Sequence, residues 1–357
     1  MKIEKVLRQL TETPGPSGFE ERVTAVIQDL WRPLVDEIYT DRVGSLIAVK
    51  KGAGNAPRKR ILLAAHMDEI GLLVSEVVAH NGNGFLRVSN LGGVDRRHLF
   101  GQLVTIHGKQ DLTGVIGALP AFMLPENRPS EVYSYEEFVV DPGMPYDALA
   151  ELVAIGDAVS FRQPLRKLQG KVLTAKAMDN RASVTAVTLC LHMLQKRYHE
   201  WDVVAVATSQ EETRLLGAYT SAFSQYPDAA VAIDVCFGKG GGVSDAHTFE
   251  LGGGPVLDIG PNVHPGMYNA LKDAADNLEI KVNNTMHTRG SGTDAYGLQV
   301  ARAGVPTGLI SIPIRYMHTM VETIHTADIK RAAAVLAEMI AGLEADFIEQ
   351  LEKAMVE

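Results

Sequence analysis

Two apolar runs, Ile61-Leu62-Leu63-Ala64-Ala65 and Val203-Val204-Ala205-Val206-Ala207, constrain this chain more than any other feature in it. Neither alternates with polar residues, so neither suits a strand with one wet face; each fits a strand buried on both sides by helices. Both runs stop abruptly at polar groups, the first at His66-Met67-Asp68-Glu69 and the second at Thr208-Ser209-Gln210-Glu211-Glu212. In open α/β sheets ligands bind beyond the carboxyl ends of the strands, where loops hold polar groups against a rigid scaffold. The Glu211-Glu212 pair also reads as the acidic opening of a helix over 213–224, because carboxylates favour a helix N-terminus. Adjacent strand residues point to opposite faces, so if both glutamates serve one site the chain is already turning where they sit.

Around these runs strands and helices alternate. Helical patterns over residues 1–30 are separated by Pro14-Gly15-Pro16-Ser17-Gly18, which cannot continue a helix. Strands are expected near 35–39 and 45–50, ahead of the first run. After Lys171 the pattern predicts a helix over 181–198, the second run, a helix over 213–224, and strands near 229–235 and 255–259. A helix over 267–278, a strand over 281–288, a helix from 293, a strand over 306–312 and a long amphipathic helix from 326 follow. This rhythm implies an α/β fold with three layers, α/β/α, around a mainly parallel or mixed sheet. Residues 70–164 differ, with short alternating runs at 71–78, 84–89, 103–107, 113–118 and 157–161 separated by glycine- and asparagine-bearing turns. They read as a compact, barrel-like all-β unit. Within it, 121–145 carries several prolines and little periodicity, and reads as a long surface excursion. The expected organisation is one α/β domain made of 1–68 and 165–357, with a β-barrel over 69–164 inserted in it.

Bulk properties narrow the function. With 357 residues, 46% apolar and 22% charged, the chain supports one large domain and a smaller second one. A net charge of −9 and the lack of any long basic stretch exclude the electrostatic footprint of a nucleic-acid binder. Cys190 lies in a helical pattern and Cys236 just after a strand, so a disulfide framework is not expected and a reducing compartment is. The charged, amphipathic start lacks the apolar core of a signal peptide. No apolar run approaches the roughly 20 residues that span a bilayer, so a cytoplasmic location without a membrane partner is expected.

Five segments end in residues that bind divalent metals: His66 with Asp68; Asp179 within Ala177-Met178-Asp179-Asn180-Arg181; Glu211-Glu212; Asp234 at a strand end; and His318 within Arg315-Tyr316-Met317-His318-Thr319. At the strand ends of one sheet, such groups converge on one rim. Two divalent ions need two terminal ligands each and a bridging carboxylate. The set supplies them, with His66 and Asp234 for one ion, Glu212 and His318 for the other, and Asp179 between. Nitrogen and oxygen donors suit Zn²⁺, Co²⁺ or Mn²⁺. Glu211 is left over. A carboxylate beside a dimetal-bound water serves as general base and then proton donor, since coordination brings that water's pKa from 15.7 to about 7.

Each member also has a plainer reading. His66 reads as a hydrogen-bonded histidine, Asp68 as either an acceptor orienting its imidazole or a turn aspartate, and Asp179 as a helix N-cap. Their joint occurrence favours chemistry, with Glu211 and Asp68 as the catalytic pair and His66, Asp179, Glu212, Asp234 and His318 as metal ligands. Gly238 to Gly242 lacks both the G-x-G-x-x-G and the P-loop pattern and reads as a mobile turn, and no G-x-S-x-G nucleophile elbow occurs. Gly290-Ser291-Gly292-Thr293-Asp294 reads first as a helix N-cap, with substrate-site lining as its functional option. His264, His287 and Arg289 lie in loops near strand ends, where contact with substrate is the functional option.

In this order and spacing, His66-Met67-Asp68-Glu69-Ile70-Gly71, Ala177-Met178-Asp179-Asn180-Arg181, Gln210-Glu211-Glu212, Asp234-Val235, Gly292-Thr293-Asp294 and Ile312-Pro313-Ile314-Arg315-Tyr316-Met317-His318-Thr319 resemble the M42 family of dinuclear metallo-aminopeptidases. That family includes tetrahedral aminopeptidases and proteins labelled glutamyl aminopeptidase or endoglucanase. The resemblance runs over essentially the whole chain. It implies the metal assignment above, two divalent ions per subunit, Glu211 as catalytic base and cleavage of N-terminal residues from short peptides. It also implies that the β unit mediates dimerisation and that dimers assemble into a hollow tetrahedral homododecamer.

Ser183 stands where the bridging-aspartate motif usually has a glycine, and Cys236 to Gly242 has no counterpart in the family pattern, which leaves the preferred N-terminal residue open. Two rival functions remain. Metal-independent glycoside hydrolysis needs two carboxylates about 5–9.5 Å apart flanking a sugar, and a chelator discriminates it. A non-catalytic assembly protein with a structural metal site has no need of the unliganded Glu211.

Overall fold

The computed structural model describes residues 1–123, 132–242, 244 and 247–353. Helices α1 (Ile3–Glu12) and α2 (Glu21–Trp31) lead into strands β1 (Glu37–Thr40), β2 (Leu46–Lys50) and β3 (Arg60–His66). Next come β4 (Gly71–His80), β5 (Asn83–Leu91), β6 (Leu103–His107), β7 (Asp111–Gly117), β8 (Val139–Pro145), helix α3 (Tyr146–Leu152) and β9 (Ala158–Phe161). The chain continues through β10 (Arg166–Lys167), β11 (Val172–Ala175), α4 (Met178–Leu194), β12 (Asp202–Thr208), α5 (Glu211–Arg214), α6 (Leu216–Gln225) and β13 (Ala229–Phe237). Strands β14 (Val256–Ile259), β15 (Asn283–Met286), β16 (Thr307–Arg315) and β17 (Glu322–His325) alternate with helices α7 (Pro265–Asn277) and α8 (Asp294–Gln299), and α9 (Thr326–Ala341) and α10 (Phe347–Lys353) end the described chain.

The two apolar runs form the middle of the sheet. Its order is β1-β2-β12-β3-β13-β16-β17-β11-β10, with β14 and β15 branching from β16 to make 11 strands. Strands β12, β3, β13 and β16 are parallel to their neighbours in this series, which brings their carboxyl ends to one edge. Successive residues feed opposite layers. Ile61, Leu63, Val203 and Ala205 pack with α1, α2, α4, α7 and α9, whereas Leu62, Ala64, Val204 and Val206 pack with α6 and α8. The absence of alternation in these runs is therefore the signature of helices on both faces.

Strands β4-β5-β8-β7-β6-β9 close an antiparallel barrel. Its core is built from every second residue, as in Leu72 and Val74, Leu86 and Val88, and Val104 and Ile106. The expected excursion over 121–145 is corrected here. Val139–Pro145 is β8, paired with both β5 and β7, while 124–131 lie outside the described residues. Pro142 and Pro145 hid the strand, yet the pairing with β5 shifts register between Gly84 and Leu86, the kind of irregularity that accommodates proline.

The chain through Asp179 (ψ 104°) and Asn180 (φ −121°) is non-helical, so regular helix in α4 starts at Arg181, as expected. The helix expected over 213–224 begins instead at Glu211 and is divided at Leu215, whose φ is +59°. That shift places two carboxylates at the sheet edge. Among the described residues no helix is long and apolar enough to cross a membrane, and Cys190 and Cys236 are both free thiols.

Candidate metal centre and substrate cleft

The edge of the sheet gathers all seven residues singled out in the sequence. His66 closes β3 opposite Thr208, the last residue of β12, and Glu211 and Glu212 open α5 just beyond it. Asp234 lies in β13 opposite Ser311, Asp179 near the start of α4, and His318 in the turn joining β16 to β17. His66 Nε2 faces three carboxylates, with Asp179 Oδ1 at 3.1 Å, Glu211 Oε2 at 3.8 Å and Asp234 Oδ1 at 3.9 Å. His318 Nε2 lies 3.3 Å from Asp179 Oδ2 and 3.5 Å from Glu212 Oε1. Asp179 thus turns one oxygen towards each imidazole, the geometry of a bridging carboxylate. Two donor sets have ligand atoms within 4.8 Å of one another and could each hold an ion: His66 with Glu211 and Asp234, and His66 with Asp179 and Glu212.

Buried carboxylates pin the turns that carry these groups. Asp68 accepts the backbone N–H of Glu211 on Oδ1 at 3.1 Å and that of Glu212 on Oδ2 at 3.0 Å, and its Oδ1 lies 3.4 Å from His66 Nδ1. One side chain therefore caps α5 and lies against the imidazole. Glu322 makes the equivalent bridge across the rim, accepting the N–H of Asp179 at 2.9 Å and that of His318 at 2.8 Å. Glu20 accepts the N–H of Gln210 at 3.0 Å. Gln210 (φ 56°) and His318 (φ 60°) are both left-handed, a conformation that costs roughly 1–2 kcal/mol outside glycine. Each such hydrogen bond contributes about 0.5–1.5 kcal/mol and offsets part of that cost.

Beneath the rim, the fully buried Arg181 donates Nε to Met67 O at 2.8 Å and Nη1 to Thr13 O at 2.7 Å and to Leu10 O. Its Nη2 lies 3.8 Å from Glu69 Oε1, and Lys176 Nζ donates to Glu69 Oε2. Met67 is thereby held between His66 and Asp68.

Crowding dominates the electrostatics. Burial, with added repulsion from Asp234 and Asp294, pushes the Glu211 carboxyl up to about 10. Burial and the Asp179 charge push Glu212 to about 7, and burial first of all raises Asp234 well above the ordinary carboxylate value. Asp179 moves the other way: burial opposes its ionisation, but hydrogen bonds with His318 and His66 outweigh it and hold the group low. Burial likewise disfavours a charged His66, yet Glu211, Asp179 and Asp68 together raise it. A carboxylate cluster this dense repels its own charge, and divalent cations relieve that repulsion. The donors are nitrogen and oxygen only, so the residues fit Zn²⁺, Co²⁺ or Mn²⁺.

The rim opens into a cleft of about 720 Å³. The loop after β15 forms part of its wall and contributes His287, Arg289 and Ser291, with Asp258 of β14 buried beside them. His264 is not part of it; its Nδ1 accepts the N–H of Gly266 at 3.1 Å and caps α7. Thr293 caps α8 by accepting the N–H of Ala295 at 3.3 Å, and Asp294 is buried as the acceptor of the Thr208 hydroxyl. The first residue of the expected mobile turn, Gly238, is pinned by a bridge to Phe249 and by its N–H to Ile314 O at 2.6 Å.

Sequence reasoning missed Glu20, Glu322 and Gly93. A Cβ on Gly93 would lie 2.6 Å from His318 Nδ1, so glycine lets the segment after β5 close over that imidazole. For Glu322 the available signal was its position four residues after His318, a spacing that matters only once the turn is known to fold back.

Fold and rim together define a class, an α/β protein with an inserted antiparallel barrel and a strand-end cluster of carboxylates and imidazoles able to hold divalent metal. The chain belongs to the M42 family of aminopeptidases, metal-dependent hydrolases of peptides: the family described as M42 glutamyl aminopeptidase matches residues 44–335. It is 33% identical over 344 residues to the lysyl aminopeptidase of Pyrococcus furiosus, covering 94% of this chain and 97% of that one. In three dimensions it resembles a TET aminopeptidase from a marine sediment Thaumarchaeota archaeon, with TM-score 0.91, 28% identity and 98% of each chain covered. It also resembles the TET1 peptidase of Pyrococcus horikoshii, which can assemble into a tetrahedron or a large octahedral shell, with TM-score 0.83, 31% identity, 96% of this chain covered and 100% of that one.

Proposed function

We propose that this chain is a dinuclear metallo-aminopeptidase that removes N-terminal residues from short peptides, with Glu211 as its general base. The observation that carries the reading is the split of Asp179 between two imidazoles, 3.1 Å to His66 and 3.3 Å to His318, with Asp234 and Glu212 completing the two sides. His66 and Asp234 would hold one ion and Glu212 and His318 the other, with Asp179 shared between them. Divalent ions bound there would supply Lewis acidity for a scissile carbonyl and would make a bound water acidic near neutral pH. Glu211, whose Oε2 lies 3.8 Å from His66 Nε2, would accept a proton from such a water on its carboxylate and return it to the leaving amine. Asp68 fixes where the carboxylate sits, because the N–H groups of Glu211 and Glu212 both bind it.

Catalysis on this reading belongs to residues 1–68 and 165–357, and self-association to 69–164. The barrel side carries exposed Phe100, Leu119, Phe122 and Met123, apolar surface suited to a dimer interface, and the P. horikoshii relative's shells support assembly of dimers into a tetrahedral dodecamer. Dialysis against a chelator is expected to remove hydrolysis of aminoacyl-p-nitroanilides, and Zn²⁺, Co²⁺ or Mn²⁺ to restore it, in material that elutes as a dodecamer. Activity that persists in metal-free protein rules the mechanism out.

Glu322 is assigned a positioning role. Glu322→Gln replaces one of the two acceptors with an amide that faces an N–H, and is expected to weaken metal binding by about 10–100-fold. Calorimetric titration of apoprotein with Zn²⁺ reads this directly; unchanged affinity would show that the two backbone bonds do not organise the site.

A further inference from the structure

A second cavity, of about 530 Å³, lies where the barrel meets α1 and α2, and it shares no lining residue with the metal cleft. Arg22 of α2, Arg162 just after β9 and Lys176 just after β11 line it from three separate elements. The two acids on its wall are already engaged. Asp111 accepts from Nη1 and Nη2 of Arg22 at 2.5 and 2.8 Å, and its Oδ1 lies 2.9 Å from His107 Nδ1. Glu12 Oε1 accepts from Arg8 Nη1 at 2.9 Å and from the N–H of Leu165 at 3.1 Å.

The cations are less fully matched. Lys176 is 5% exposed, and among the described residues its Nζ has one partner, Glu69 Oε2. An ammonium carries three N–H donors, so two are left over. Glu69 is not a counterion for Lys176 alone, since its Oε1 also faces Arg181 and accepts the N–H of Gly15. Two buried cations thus share one carboxylate. Burial pushes the Lys176 ammonium below its ordinary pKa, and a further anion beside it would oppose that shift. Arg162 donates Nη1 to Thr113 Oγ1 at 2.6 Å and meets no carboxylate among the described residues, so the rest of its guanidinium faces no protein acceptor.

We propose that this cavity is a second binding site, separate from the metal cleft, for a small oxyanion, a carboxylate or a phosphate, held by the spare donors of Lys176 and Arg162. A buried ammonium and a planar guanidinium are the donors that recognise such groups through charge-assisted hydrogen bonds. A cationic ligand does not fit, because each acid on the wall already has an arginine and Lys176 would repel it. The Arg22–Asp111 pair has a different part, joining α2 to β7 and so holding the two sides of the cavity together.

Equilibrium dialysis of the metal-loaded, full-length protein against radiolabelled inorganic phosphate and radiolabelled succinate tests this, with sodium chloride holding ionic strength constant so that general screening does not count as binding. Saturable binding of at least one anion is expected, and which of the two binds more tightly identifies the source of the oxyanion. Arg162→Glu, at an exposed position that leaves packing intact, is expected to weaken that binding by about tenfold or more. Lys176→Met is expected to abolish it; should that variant fail to fold, Arg162→Glu decides alone. An anion held by ions in the metal cleft keeps its affinity in Arg162→Glu, so affinity unchanged in that variant overturns the proposal. Failure of both anions to bind above the chloride background overturns it as well.

Discussion

Glu211→Gln is expected to retain the wild-type metal content and to lose turnover by about 10²–10⁴, the range that general acid–base catalysis contributes. The substitution is isosteric, and the backbone N–H of residue 211 still reaches Asp68 Oδ1, so the turn holds. Only the capacity to accept a proton disappears. The measurement also settles a question that geometry leaves balanced, because Glu211 Oε2, at 3.8 Å from His66 Nε2, falls in a donor set with His66 and Asp234. If Glu211 is a ligand rather than a base, the amide weakens coordination and metal is lost along with activity. Elemental analysis of the purified variant beside its kcat separates the two roles, and a variant that keeps most of its rate removes the base assignment.

The parts of this protein legible in its sequence are those where one physical demand dominates. Ile61 to Ala65 and Val203 to Ala207 had to be doubly buried, and His66, Glu211, Glu212 and Asp234 announced themselves as polar groups ending or interrupting apolar strands. Strand β8 was hidden because Pro142 and Pro145 argue locally against a ladder, and only the register shift opposite Gly84 reveals how they fit. Glu20 and Glu322 were hidden for a different reason: their work is to accept N–H groups from Gln210, Asp179 and His318, and such acceptors carry no pattern along the chain. The division of labour between Asp68, which accepts the N–H groups of Glu211 and Glu212, and Glu322, which accepts those of Asp179 and His318, exists only in three dimensions.

Arg181→Met is the substitution expected to damage the fold most, by about 3–5 kcal/mol, the usual consequence of removing one member of a buried charged network. The guanidinium is fully buried and serves three carbonyls at once, Met67 O, Leu10 O and Thr13 O, while facing Glu69. Methionine fills much of the volume but donates nothing, so all three carbonyls lose a partner and Glu69 keeps only Lys176 and the N–H of Gly15. Lysine at 181 restores the charge without the planar fork and cannot satisfy three acceptors in fixed directions, so Arg181→Lys should fall between wild type and Arg181→Met in chemical denaturation. Equal stability of Arg181→Met and wild type would mean that the carbonyls find water and that the network contributes nothing. The consequence reaches the metal site, since Met67 lies between His66 and Asp68, and freeing its carbonyl loosens the segment that carries both. A loss of Zn²⁺ affinity that tracks the loss of stability across the two variants would place fold and centre on one shared buried support.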